Sequence, residues 1–323
     1  MKIPGPLTTA RFAFRVGTAL PRAALNRALR HAVPLPQVES LPEGRMLDLP
    51  GRGRTFVVDV AGPAPDAPVV VLLHALGTTA YLSWFTTLGE LSRDYRVIAF
   101  DQRWHGRGIA SGRFRFADCA DDVAAVLDEL DVDRAVLAGY SMGGAVAQLT
   151  WHRHPERVAG LVLCSTARNY RGTRREKLFF SVVTVATHPL SRVALGRIER
   201  LAQSLPAAPS VDTTRLARWG LSELRSTTPW SLPEVLGELG RFDSAGWIGD
   251  VDVPTAVVVT ARDHTIPARR QRKLAASIHG AQVFTAPGGH ASIFLDAHRW
   301  APLFHEAVGS VTSQLASADK VAV

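Results

Sequence analysis

Short apolar runs rich in β-branched residues recur along the chain at "RTFVVDVAG", "PVVVLLH", "YRVIAFD", "RAVLAGY", "VAGLVLC", "PTAVVVT" and "AQVFTA". Most of them are continuous in apolar character instead of alternating, which is the pattern of strands buried on both faces. Longer stretches with helical periodicity, such as "FADCADDVAAVLDEL" and "AVAQLTWHRH", separate most of these runs. Strands alternating with helices predict an α/β fold, with a mostly parallel central sheet flanked by helices.

The rhythm breaks between about 166 and 250. There "LFFSVVTVATHPLSRVALGRIERLAQSL" and "TRLARWGLSELRSTTPWSLPEVLGEL" read as helices with no strand between them, and strand-like runs resume at "PTAVVVT". The expected organisation is a core of residues 39–165 and 250–323, with an inserted all-helical cap, or lid, of residues 166–249. Loops at the carboxyl ends of the strands are where such sheets bind ligands, so the lid is expected above that end. Residues 1–38 form a basic, amphipathic extension without a strand-like run. Arg11, Arg15, Thr18, Arg22, Asn26 and Arg30 fall on one helical stripe and Phe12, Val16, Ala19 and Ala23 on another, with Pro21 interrupting the pattern.

Composition adds bounds. With 323 residues, 46% of them hydrophobic, the chain is long enough to bury one large core or two modest ones. Cys119 and Cys164 lie in no CxxC or metal-ligand pattern and read as buried thiols. The net charge of +8 is unevenly placed: residues 1–38 hold six basic side chains and no acid, and residues 168–241 hold twelve basic and six acidic ones. No zinc finger, helix-turn-helix or aromatic-basic RNA motif accompanies that charge, so no nucleic-acid partner is expected. The extension reads either as a helix docked on its own domain or, with the cap, as a peripheral contact with an anionic membrane; an organelle transit peptide is a third reading. No run reaches the 18 apolar residues of a membrane span and no secretory signal is evident, so the expected location is the cytoplasm, with or without peripheral membrane association.

The chemistry concentrates at "AVLAGYSMGGAVAQL", residues 135–149, where an apolar run meets a serine fenced by glycines and then a helical segment. A serine hydroxyl is a poor nucleophile unless a base takes its proton and something holds the developing oxyanion. A sharp strand-to-helix turn pushes the side chain outward and aims a helix N-terminus at it. Such a turn is crowded, so the residues two before and two after must lack side chains, as Gly139 and Gly143 do.

With its neighbours, this stretch resembles the α/β-hydrolase superfamily across nearly all of residues 45–310. "LLHALGTTAYLSW" is similar to the family's oxyanion loop after the third strand, and "FDQRWHGRG" to its turn after the fourth. "GYSMGG" matches the nucleophile elbow, "VVVTARDHTIP" the segment carrying the acid and "APGGHAS" the one carrying the histidine. The resemblance implies a triad of Ser141, Asp263 and His290, an oxyanion hole made by the backbone N–H groups of Met142 and Leu76, and no metal or organic cofactor. Asp243, Asp250 and Asp252 are alternatives for the acid, but they precede the strand instead of following it. Two positions depart from the family pattern, because Ala75 and Trp104 replace usual glycines. Asp101, Arg103 and His105 read as structural, and Trp104 as structural or as lining the pocket.

The apolar helical insert, including Phe179 and Phe180, suits an apolar acyl-type substrate. The expected activity is hydrolysis of a carboxylic ester through an acyl-enzyme, in an esterase-like or lipase-like serine hydrolase. The same triad also serves thioester, lactone or carbon-carbon bond hydrolysis and acyl transfer, and some relatives only bind a small ligand, so fold and triad do not name a substrate.

Overall fold

The computed structural model describes residues 41–171, 176, 178, 180, 182, 191–205, 216–227 and 231–321. The readings of residues 1–38 and of Phe179 lie outside the described residues. Among those described, no helix is long and apolar enough to cross a membrane.

The strands in chain order are β1 (Gly44–Leu49), β2 (Gly53–Val60), β3 (Val69–Leu73), β4 (Arg96–Phe100), β5 (Ala135–Tyr140), β6 (Val158–Cys164), β7 (Thr255–Thr260) and β8 (Gln282–Ala286). The helices are α1 (Ala80–Trp84), α2 (Leu88–Leu91), α3 (Phe116–Glu129), α4 (Met142–Arg153), α5 (Ser191–Ser204), α6 (Leu216–Ser226), α7 (Leu232–Arg241), α8 (Ala268–Ala275), α9 (Ser292–Leu295) and α10 (Ala297–Val321). The eight strands form one sheet in the order β1-β2-β4-β3-β5-β6-β7-β8. β1 and β2 pair antiparallel, β2 pairs antiparallel with β4, and every further pairing is parallel.

Seven of these strands are the apolar runs of the sequence. β5 is buried at all six positions and β7 at all six, which explains their unbroken apolar character. β1, "GRMLDL", was not among the expected strands. It lies at the sheet edge with a mixed exposed and buried pattern, so only Leu47 and Leu49 are buried and no apolar run marks it.

The chain order reverses at β3, which has β4 on one side and β5 on the other. At such a switch point the loops leaving the two neighbouring strands diverge and open a crevice at their carboxyl ends. Here those loops are residues 74–79, after β3, and the β5–α4 junction at Ser141. Between β6 and β7 the described residues form helices α5, α6 and α7, with no strand beyond a single bridge of Asn169 to Asp243. That bridge, with the Ser244 N–H donating to the Arg168 carbonyl at 2.8 Å, brings the two ends of the insert together.

The insert is tied to the core by acidic side chains, one of them buried. Glu223 of α6 is 1% exposed and accepts the Thr79 hydroxyl at 2.5 Å. Glu234 and Glu238 of α7 accept the backbone N–H groups of Phe114 and Phe116 at 2.9 and 3.2 Å, and the second of these begins α3. The side chain of Arg115 makes no capping bond there, so α7 supplies from a distance the acceptors that the start of α3 lacks locally.

Candidate active site

Ser141 stands between the last residue of β5 and the first of α4 with φ 54° and ψ −112°. A residue with a side chain pays about 1–3 kcal/mol to hold such a conformation, so the surroundings must enforce it. They do so by crowding. A Cβ on Gly139 would collide with the Gly143 backbone, and one on Gly143 with the Leu73 carbonyl oxygen at the end of β3. The Ser141 N–H donates to the Cys164 carbonyl at 2.8 Å, while its own carbonyl accepts the Gly144 N–H at 3.0 Å and the Tyr170 hydroxyl at 3.2 Å.

Three side chains from distant parts of the chain converge here. His290 Nε2 lies 2.9 Å from Ser141 Oγ, and its Nδ1 lies 2.7 Å from Asp263 Oδ2. A carboxylate only accepts, so Nδ1 carries the proton, and Nε2 is left to accept the serine hydroxyl. Asp263, in the loop after β7, also accepts the N–H groups of Thr265 and Ile266 on Oδ1, both at 2.8 Å. Burial raises its pKa; the hydrogen bond and charge of His290, then the Ile266 N–H and the Thr260 hydroxyl, outweigh burial and hold the carboxyl below its ordinary range. His290 follows β8 in a loop whose backbone is pinned by Tyr140, which donates its hydroxyl to the His290 carbonyl at 2.7 Å. The Tyr140 ring in turn packs edge-on against Trp84 and Trp300. The alternatives Asp243 and Asp252 bond elsewhere, to Asn169 and to Trp151.

Met142 opens α4 and is buried, and Leu76 sits half-buried in the loop after β3. Within that loop the left-handed residue is Gly77, at φ 76°, whereas Ala75 lies outside the left-handed region. Alanine in place of glycine at 75 therefore introduces no backbone strain. His74 fixes the start of the loop: its Nδ1–H donates to the Ala75 carbonyl at 2.8 Å and its Nε2 accepts the Gln102 N–H at 2.8 Å. Burial, then the neighbouring His105, holds its pKa well below the ordinary value, so the ring is neutral. Trp104 adopts φ 66°, the left-handed conformation for which glycine is usual, but its side chain is only 1% exposed and donates to the Ser111 carbonyl at 2.9 Å. It belongs to the interior and not to a pocket wall. Asp101 accepts the N–H groups of Ala80 and Arg107, and Arg103 grips Asp122, as structural residues would.

Several residues at this site were not visible in the sequence. Thr260 and Gln271 bond the Asp263 carboxylate from three and eight residues away, and Tyr140 and Tyr170 reach the backbone of His290 and Ser141 across 150 and 29 residues. A signal did exist for Gln271, because it shares the buried face of the basic helix α8 with Leu274 and Ala275, where a polar residue needs a partner.

Residues 68–297 match the sequence profile of the family described as alpha/beta hydrolase fold. That is well over half of the chain, and the chain belongs to this family. It is 29% identical over 245 residues to a poly(3-hydroxyalkanoate) depolymerase of Ectopseudomonas oleovorans, covering 74% of this chain and 83% of that one. It is also 29% identical over 255 residues to the 30 kDa subunit of magnesium chelatase from Rhodobacter capsulatus, covering 73% and 84%. A solved thermophilic esterase from Thermogutta terrifontis superposes with a TM-score of 0.63 at 22% identity, covering 84% of this chain and 99% of that one. Family and relatives together support hydrolase activity.

Proposed function

We propose that the chain is a serine hydrolase that cleaves a carboxylic ester with an apolar acyl group. The observation that carries this reading is the continuous chain Ser141–His290–Asp263, with contacts of 2.9 and 2.7 Å, on a strained strand-to-helix turn. Ser141 Oγ attacks the ester carbonyl carbon as His290 Nε2 takes its proton, and Asp263 stabilises the imidazolium. The N–H groups of Met142 and Leu76 hold the oxyanion. Collapse of that intermediate breaks the bond to the alcohol, which leaves with the proton from Nε2. Water, deprotonated by the same nitrogen, then attacks the acyl-serine and releases the acid. The helical insert acts as a lid: Leu232, at the start of α7, faces Gly77 of the loop after β3, and Glu223 holds the end of that loop.

The test uses p-nitrophenyl esters of increasing acyl length and a fluorophosphonate probe. The wild type turns over the esters and is labelled once, whereas Ser141→Ala is not labelled and loses about 10⁶-fold in kcat. A folded wild type that resists labelling would favour a ligand-binding role, and a loss of only about tenfold would mean that another residue is the nucleophile.

A further inference from the structure

The carboxylate that orients His290 is itself gripped by two fully buried side chains, Thr260 and Gln271. Thr260, the last residue of β7, lies 2.8 Å from Asp263 Oδ2 through its hydroxyl. Gln271, on α8, is 0% exposed, and its Nε2 lies 2.7 Å from the Ile266 carbonyl, 2.9 Å from Thr260 Oγ1 and 3.1 Å from Asp263 Oδ2. Its Oε1 accepts the Thr260 N–H at 2.9 Å. The amide can face only one way, because the reverse would set its oxygen against the Ile266 carbonyl and the carboxylate. The Thr260 hydroxyl lies 2.8 Å from Asp263 Oδ2, against 3.1 Å from Ser165 Oγ and 3.3 Å from Gln271 Oε1, and the charged carboxylate is both the nearest and the strongest acceptor for its proton.

We infer that Gln271, acting with Thr260, is a positioning residue for the acid of the triad: it fixes the plane of the Asp263 carboxylate and takes up part of the charge on the oxygen that meets His290. Neither residue touches substrate. The inference rests on the serine-hydrolase reading above and goes one shell beyond it. Oδ2 receives His290 and Thr260 and lies 3.1 Å from Gln271 Nε2, whose two protons are shared among it, the Ile266 carbonyl and Thr260 Oγ1, while Oδ1 receives two backbone N–H groups. Each donor added to a carboxylate lowers the share of charge left for the others. Removing one or both of these donors concentrates charge on Oδ2, stabilises the protonated imidazole and loosens the carboxylate.

Two near-isosteric variants read this out. In Gln271→Met and in Thr260→Val, kcat per labelled active site falls about tenfold with KM within about twofold, and the acid limb of kcat/KM moves up by about half a pH unit or more. Thr260→Ser keeps the hydroxyl and restores both values to near wild type. The double variant costs less than the product of the single losses, because both residues serve one carboxylate. Should Gln271→Met fail to fold, the Thr260→Val and Thr260→Ser pair decides alone. An acid limb that stays in place or moves down, or a Thr260→Ser as damaged as Thr260→Val, overturns the inference by showing that these positions matter for packing only. Ser141→Ala, measured in parallel, separates the two readings: retained turnover there overturns the triad and this inference together, whereas its loss beside unshifted profiles overturns this inference alone.

Discussion

Two residues that differ by a methyl group from their neighbours' requirements behave oppositely in this site. Ala75 takes an ordinary backbone conformation while Gly77 makes the bend, so Ala75→Gly leaves kcat/KM within about twofold and lowers stability by about 0.5–1 kcal/mol through the looser unfolded chain. Gly143 faces the Leu73 carbonyl across the seam between α4 and β3, with no flexible side chain to yield. Gly143→Ala therefore forces the elbow and the loop after β3 apart, and kcat/KM falls by about 100-fold or more. Ester assays and thermal melts on the two variants check this contrast. A large kinetic loss in Ala75→Gly would mean that the loop is set at residue 75 after all. The same scale shows what sequence can disclose. Ser141, Asp263 and His290 were legible because each sits at a motif with a strand before it, whereas Gln271 and Thr260 act through contacts that no spacing rule encodes.

At the scale of elements, the insert and the loop after β3 meet in one buried cluster of Thr79, Asp101, Arg107 and Glu223. Arg107 Nη2 lies 3.5 Å from Glu223 and its Nη1 3.9 Å from Asp101, so one guanidinium serves two acids. Burial first, and then the charge of Glu223, pushes the Asp101 pKa up to about 7. A carboxyl whose pKa is higher folded than unfolded binds its proton more tightly in the native state. Its stabilising contribution is therefore full below the unfolded value and is lost as pH rises towards 7. Glu223→Gln removes the like charge along with the bond to Arg107. The thermal midpoint of this variant, relative to wild type, is expected to be more favourable at pH 8 than at pH 5. Equal differences at both pH values would show that the two acids do not sense one another. Helix α6, which carries Glu223, was readable from periodicity, but the partnership was not, because Glu223 and Thr79 are 144 residues apart.

At the scale of the whole molecule, the strands inside the sheet were readable because burial on both faces demands unbroken apolar runs, and β8, though mostly exposed, was readable from its short run of β-branched and aromatic residues. The exception, β1, has one face in water and too few buried positions to stand out. The parallel order and its reversal at β3 followed from no single segment, since strand order depends on pairings between distant runs. The extent of the sheet also divides the site unequally. Ser141 rises from β5, flanked on both sides and wholly buried, whereas His290 hangs from β8, which among the described residues pairs with β7 alone and exposes Gln282, Val283 and Thr285.

The margin of a sheet opens at a lower free-energy cost than its middle. Gentle heating or modest urea should thus silence the enzyme reversibly, by letting the base drift away, before the summed fluorescence of the seven tryptophans reports global melting. Following turnover and fluorescence along one temperature ramp checks this, and coincident midpoints would show that the outermost strand is as firmly anchored as the centre. A cross-link or added side-chain contact along that outer strand would then prolong working life at elevated temperature without touching the nucleophile at all.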